Sequence, residues 1–363
     1  MATYPTKLAE AFASKALEIY YATSISEQIT NQDYEGEIRD KSSILNILTF
    51  SKILSHTYTG ATMTVDDLTE SSGQLLTDQA VDFYFRVKSY DKFRSYIKNP
   101  EGTILTQTAS ELKKVIDTYV LGFWTEVGAG NRIGTDYTTG TVTVTAVTGY
   151  VTGSGTTFTA AMVGKPFKAT GQTTWYRVKT FSSTTSIVIE DDLDDVTSAY
   201  TGGTVAGGTA FNIQAATAIQ VTKSTVYDQI NQLGVKMNDL EIPEDNRWLV
   251  VPPAIAALIK EAPEFIPSGV PAAYDRFTIN GRVGGKIANF EVYMTPRVVG
   301  DSVNGWHMIA GHKSAITFAM GFVETGMEDL IGNFGKAYKS LNVYGAKVLD
   351  ERRKALAELF GKL

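Results

Sequence analysis

The chain has 363 residues, of which 43% are hydrophobic and 20% charged, with a net charge of −6 and no cysteine. That composition supports a globular protein with chain enough for roughly two domains, and it excludes disulfides and thiolate chemistry. No basic tail or block offers the phosphate grip of a dedicated nucleic-acid binder, and no run approaches the ~18 apolar residues of a membrane span.

Thr6 to Ala22 places Leu8, Phe12, Leu17, Ile19 and Tyr20 among Lys and Glu, which predicts an amphipathic helix. This polar-interrupted start lacks the charged-then-apolar order of a secretory signal. Thr23 to Ser43 is polar and weakly patterned, and reads as an extended arm that orders only against another surface. Ile53–Val65 and Gln79–Val87 both alternate like strands, with an acidic, polar tip from Asp66 to Gln74 between them. A hairpin of that length is not stable alone in water, so it must lie on its own domain or on a neighbouring subunit.

Leu105 to Val127 is the longest helical pattern. Leu105, Ala109, Leu112, Ile116, Tyr119, Val120, Phe123, Trp124 and Val127 fall at steps of three and four, one stripe of a helix. Pro100 and Gly102 punctuate the chain before it, and Gly128 to Asn131 break it afterwards. From Thr135 to Phe211 the composition turns to Thr, Gly, Ser and Val, with strand runs at 141–147, 175–181 and 185–190. Short strands with Gly turns predict a small β-sandwich or barrel, and helical patterning resumes behind it, which marks it as an insertion.

Beyond Asn212 the pattern is mixed. Val221–Leu240 reads as a helix with Ser224 as N-cap and Val226, Ile230, Leu233 and Met237 on one face. Arg247–Val251 reads as a buried strand stopped by Pro252, and Pro253 suits the first position of a helix through Glu261. Thr278–Pro296 reads as strands around turns at Asn280-Gly281 and Gly284-Gly285. Trp306–Phe318 and Tyr338–Val348 read as strands, and Glu351–Phe360 as a short closing helix.

Chemistry-bearing constellations are weak. His307 and His312 lack the helical i, i+4 spacing of a zinc protease motif. Asp191, Asp192, Asp194 and Asp195 lack the alternating ligands and distal Glu of a calcium loop. Gly281, Gly284 and Gly285 precede a strand rather than opening a helix, so they are not a dinucleotide fingerprint. No catalytic, cofactor or metal site is predicted, and the chain does not read as an enzyme.

The order of parts (polar arm, long hairpin, long helix, then an α/β region closing in strands) resembles the major capsid proteins of tailed bacteriophages, the Hong Kong-97-type coat fold. Val221–Val251 followed by PPAIAALIKEAPEF, GRVGGKIANFEVYMTPRV at 281–298, WHMIAGHKSAITFA at 306–319 and NVYGAKVLDERRKALAEL at 342–359 resemble that family locally. The resemblance covers almost everything outside Thr135–Phe211.

It implies an α+β fold with an N-terminal arm at 1–50, an E-loop hairpin at 51–90 and a peripheral domain with its spine helix at 91–134. The all-β insert would follow at 135–211, then more peripheral domain at 212–244, an axial domain at 245–335, and a return strand with C-terminal helix at 336–363. It further implies self-assembly into pentamers and hexamers of an icosahedral shell around double-stranded DNA, enclosed without sequence-specific binding. Subunit contacts would run through Asp66, Asp67, Glu70, Phe83, Phe85 and Arg86.

The implied partners are further copies of the chain, a separate scaffolding protein, a portal and, optionally, a decoration protein, with no membrane. The implied location is the virion capsid, made in the bacterial host cytoplasm. Some relatives join E-loops by Lys–Asn isopeptide bonds, but Val65–Gln74 contains no Lys, so a shell without crosslinks is expected. For the insert, contacts that stabilise the shell are favoured over binding to host-surface glycans. An encapsulin-type nanocompartment keeps the fold and changes the cargo; an enzyme or glycan-binding module is the distant alternative.

Overall fold

In the computed structural model the described residues are 24–33, 44–50, 70–88, 100–191, 199–262, 282–330 and 334–363. Thr6–Ala22, Ile53–Val65 and the Asn280-Gly281 turn lie outside them. The chain divides into two compact units, one of 1–22, 31–112 and 317–347, the other of 23–30, 113–316 and 348–363.

In the first unit, β1 (Ile44–Phe50) pairs antiparallel with β2 (Glu70–Leu76), Ile44 opposite Leu76 and Phe50 opposite Glu70. The stem of the hairpin therefore includes Glu70–Gln74, which the sequence pattern had placed in its tip. β3 (Gln79–Lys88) has a different partner: it runs antiparallel to β20 (Gly335–Val348), with Gln79 opposite Tyr344 and Lys88 opposite Gly335. β19 (Ile316–Asp329) completes that three-stranded sheet on the far side of β20.

The long helix, α2 (Pro100–Leu121), starts at Pro100, whose fixed φ and missing N–H suit a first helical turn. Ala109, Leu112, Ile116 and Val120 are fully buried along its stripe. The α-helix stops at Leu121, and Gly122–Glu126 continue as a 3₁₀ turn before Val127. That tighter turn swings Trp124 off the helical stripe, so the helix starts and ends earlier than its apolar pattern.

In the second unit, an eight-stranded sheet runs from Thr135 to Thr217. It comprises β5 (Thr135–Tyr137), β6 (Thr141–Val144), β7 (Tyr150–Ser154), β8 (Pro166–Ala169), β9 (Tyr176–Ser183), β10 (Ser186–Asp191), β11 (Val205–Thr209) and β12 (Phe211–Thr217). Their order is β11-β6-β7-β10-β9-β8-β12-β5. One core, including Val142, Val151, Phe158, Phe167, Val178, Ile187, Ile189, Phe211 and Ile213, lies beneath it. Alternate residues of β6, Val142 and Val144, point into this core as the two-residue strand period requires.

The other sheet of this unit has the order β13-β21-β18-β14-β16-β15. Its strands are β13 (Ile219–Gln220), β14 (Arg247–Val251), β15 (Arg282–Ile287), β16 (Phe290–Met294), β18 (Gly305–His312) and β21 (Leu356–Lys362). β4 (Arg132–Ile133) joins β21, and β17 (Gly300–Asp301) joins β18. β14 matches the expected strand and is buried along its whole length. α3 (Val226–Asp239) packs on β21. Its first residue comes later than the sequence suggested, because Thr222 to Thr225 form a turn in which the Thr225 hydroxyl accepts from the Thr222 N–H at 3.0 Å. α4 (Pro253–Glu261) begins at Pro253 as expected.

The structure departs from the sequence pattern at three further places. The expected C-terminal helix is absent: Asp350–Ala355 make a 3₁₀ turn and Leu356–Lys362 form β21. Leu356, Leu359 and Phe360 carry helical spacing, but Leu356 to Gly361 are all buried, and a strand covered on both faces loses its two-residue signature. The β15–β16 turn is Ala288-Asn289, with φ of 46° and 68°, whereas Gly284 and Gly285 sit inside β15 at a register shift. The 306–318 run is two strands, broken at Lys313–Ala315.

Candidate functional site

Of the residues proposed for subunit contacts, Asp66 and Asp67 lie outside the described residues. Glu70 is the first residue of β2, opposite Phe50. Phe83, Phe85 and Arg86 lie on β3, where Val81, Phe83, Phe85 and Val87 are half-buried and Ala80, Asp82, Tyr84 and Arg86 are exposed. Phe85 stacks on Tyr338 at 5.2 Å between ring centroids, so it serves its own sheet. Arg86 shares the open face with Tyr84, which is 63% exposed, and with Lys339, which is paired to Glu328. Of the proposed residues on β3, Phe83 and Phe85 therefore lie on the half-buried face, and Arg86 lies on the exposed face beside Asp82 and Tyr84.

The densest polar constellation was not expected from the sequence. Glu358, in the middle of β21, is fully buried. Its Oε2 accepts from Arg132 Nη1 at 2.5 Å, and its Oε1 from Lys165 Nζ at 2.8 Å. His307 Nδ1 lies 2.6 Å from that same Oε1. Burial alone would raise the Glu358 carboxyl, but the Lys165 and Arg132 charges outweigh it and hold the group well below the usual carboxylate range. Burial lowers Lys165 to about 8, against the pull of Glu358, and burial likewise lowers His307, favouring a neutral ring that donates Nδ1–H to the carboxylate.

Aromatic faces take up the surplus positive charge. His307 is sandwiched between Trp124 at 3.7 Å and Phe360 at 4.2 Å. Lys165 Nζ lies 4.8 Å from the Trp124 ring centre and 4.2 Å from that of Phe360, a cation–π arrangement on both sides. Arg132 also donates to the carbonyls of Thr125 and Val127, which ends the 3₁₀ turn at a fixed place. Asn131 donates to the carbonyls of Lys354 and Leu356, and the Glu358 N–H donates to the Asn131 carbonyl.

A second, shallower network runs beside it. Arg177 on β9 binds Glu126 at 2.9 Å and Glu190 at 3.2 Å, and Arg353 approaches the other oxygen of Glu126 at 3.5 Å. Lys165 and Arg177 come from the eight-stranded sheet region; Glu126 and Trp124 follow the long helix; Glu358, Phe360 and Arg353 come from the end of the chain. Chemically these groups brace structure: the charges pair with one another, and Lys165 also rests on two aromatic faces.

His312 lies elsewhere, its Nδ1 2.8 Å from Ser314 Oγ. Asp191 accepts from the Thr201 N–H, with 192–198 outside the described residues. Among the described residues no cluster of three or more His, Asp or Glu could hold a metal.

No family model matches the sequence, and no curated protein sequence matches it significantly. Solved structures do match. One from Mycobacterium phage Che8 is 14% identical, with a TM-score of 0.55 over 92% of this chain and 90% of that one. The capsid of Ralstonia phage GP4 is 13% identical, with a TM-score of 0.52 over 94% and 89%. The capsid of an empty GTA particle is 9% identical, with a TM-score of 0.50 over 94% and 90%. Mixed helix and strand, a long helix following a hairpin in the chain and nearly full-length superposition on these structures together give this chain the Hong Kong-97-type capsid fold.

Proposed function

We propose that this chain is a capsid shell protein, a structural subunit without catalytic activity, which assembles with copies of itself into pentamers and hexamers of an icosahedral tailed-phage shell around double-stranded DNA. The observation that carries the reading is superposition on phage capsid structures over about nine-tenths of both chains. Small contacts repeated by symmetry would give cooperative closure. The acidic net charge of −6 fits an enclosure that does not grip its genome.

In this reading 1–50 is the arm, 51–90 the E-loop reaching a neighbour, and 135–211 a β insertion on the capsid fold. The separate core of the eight-stranded sheet supports the insertion, and the outward set Asp82, Tyr84 and Arg86 suits a contact between copies. Scaffolding and portal proteins are the expected partners, in a host cytoplasm. No helix among the described residues is long and apolar enough to cross a membrane.

Electron microscopy of the purified protein tests the reading: closed shells or capsomer rings support it, and a monomer that persists at high concentration sinks it. Nuclease-protected DNA inside shells formed in cells would separate a genome container from a protein-filled nanocompartment.

A further inference from the structure

A buried carboxyl on the long helix holds a short stretch of the N-terminal region. Asp117 is 2% exposed. Its Oδ1 accepts from the Ser26 backbone N–H at 3.1 Å and from Ser24 Oγ at 3.0 Å. Ser24 and Ser26 hydroxyls lie 2.5 Å apart, so the two serines form one polar knot on that single oxygen. Its Oδ2 is buried with no hydrogen-bond partner among the described residues. The segment behind the knot is a single helical turn, α1 (Ser26–Ile29), closed by Thr30 donating back to the Ser26 carbonyl. Ile25 and Ile29 are buried at 5% and 1% exposure. Residues 23–30 belong to the same compact unit as the helix from Lys113 onward, while the chain on both sides of them belongs to the other unit.

We propose that Ser24–Thr30 is a releasable latch on α2, with the carboxyl of Asp117 as its catch. Ser24, Ser26 and Thr30 are buried together with the two isoleucines, and a single helical turn has little stability of its own, so the polar knot on Asp117 bears directly on whether the segment stays. Burial raises the Asp117 carboxyl; the Ser26 and Ser24 hydrogen bonds and Lys113, one turn back on the helix, oppose that rise without cancelling it. Glu27 is the only ionisable side chain in 24–30. A carboxyl raised in the closed latch binds its proton more tightly there than when open. Closure is therefore favoured at low pH and weakens as pH rises through the closed-state value. Release would detach 24–30 from the helix and give the arm a second position, a switch that the shell reading does not require.

Hydrogen exchange on the full-length protein tests this. Protection factors of the 24–30 peptide would be compared at about pH 5 and about pH 7.5, each corrected for the intrinsic exchange rate at that pH. Wild-type protection should be higher at the acid end. Asp117→Asn keeps the Oδ1 acceptor but cannot ionise, so it should protect the peptide equally at both pH values. Asp117→Ala should lose the protection while the rest of α2 keeps its own. A pH dependence in Asp117→Asn equal to wild type, or full protection in Asp117→Ala, overturns the latch. Should Asp117→Ala fail to fold, the comparison of wild type with Asp117→Asn decides alone.

Discussion

The fully buried Glu358 carboxylate has three side-chain partners, Arg132, Lys165 and His307. Removing its charge while leaving Arg132 and Lys165 in place strands two buried cations, and breaking a buried pair from one side costs about 3–5 kcal/mol. Glu358→Gln should lose stability of that order in denaturant unfolding. Lys165→Met should lose clearly less, because Arg132 still neutralises Glu358 and a methionine can fill the slot between Trp124 and Phe360.

The pH dependence has two limbs. Glu358 is held below its unfolded value of 4.5, so its contribution is full above that pH and is lost as pH falls. Lys165 is lowered to about 8 from 10.5, so across that window the unfolded chain holds the extra proton and stability rises with pH. Thermal unfolding should show both limbs, and Lys165→Met should flatten the alkaline one. None of this was legible in sequence: Lys165 and Glu358 are 193 residues apart, each looks like an ordinary surface charge, and Glu358 sat in a stretch with helical spacing.

At the scale of elements, the sequence was most readable where local chemistry and tertiary environment agree. Pro252 and Pro253 end β14 and open α4 by covalent constraint, so both boundaries came out as expected. Leu356–Lys362 failed for the opposite reason: Ala, Leu and Glu favour helix locally, and burial on both faces overrides them. The β15–β16 turn was misplaced because Gly284-Gly285 looks like a turn, whereas Ala288-Asn289 adopts positive φ under the demands of the pairing.

Val147 shows the same tension at the β6–β7 turn. It is β-branched, 77% exposed and held at φ 69°, with the Thr148 N–H donating to the Ala146 carbonyl across it. Such a γ-turn is strained for valine. Val147→Asn should gain about 1 kcal/mol in an unfolding titration. A simultaneous loss of particles would mark the tip as a contact between copies.

For the whole molecule, the eight-stranded sheet is tied by charge to the rest of its compact unit. It supplies Lys165 and Arg177 to the two charge networks. Excising 135–211 therefore removes a partner of Glu358 as well as any outer contact. A deletion that blocks assembly is informative only beside Lys165→Met: if that variant assembles and the deletion does not, the sheet acts through contacts with other copies. Normal particles with reduced adsorption to host cells would point to glycan binding. Mature particles boiled in SDS should run at monomer mass, since no lysine lies in 65–74; a ladder would show covalent joining.

The position of β21 has a kinetic consequence. It lies between β13 and β18, and it pairs Glu358 with Arg132 across 226 residues of chain. Closing loops of that size is slow, and until residues 356–362 arrive, β18 and β4 lack the strand that covers them and the Trp124–His307 stack lacks Phe360. A growing chain would thus carry an unfinished sheet until residues 356–362 had been made. Folding of this sheet would therefore wait on β21, the strand that joins β4, β13 and β18.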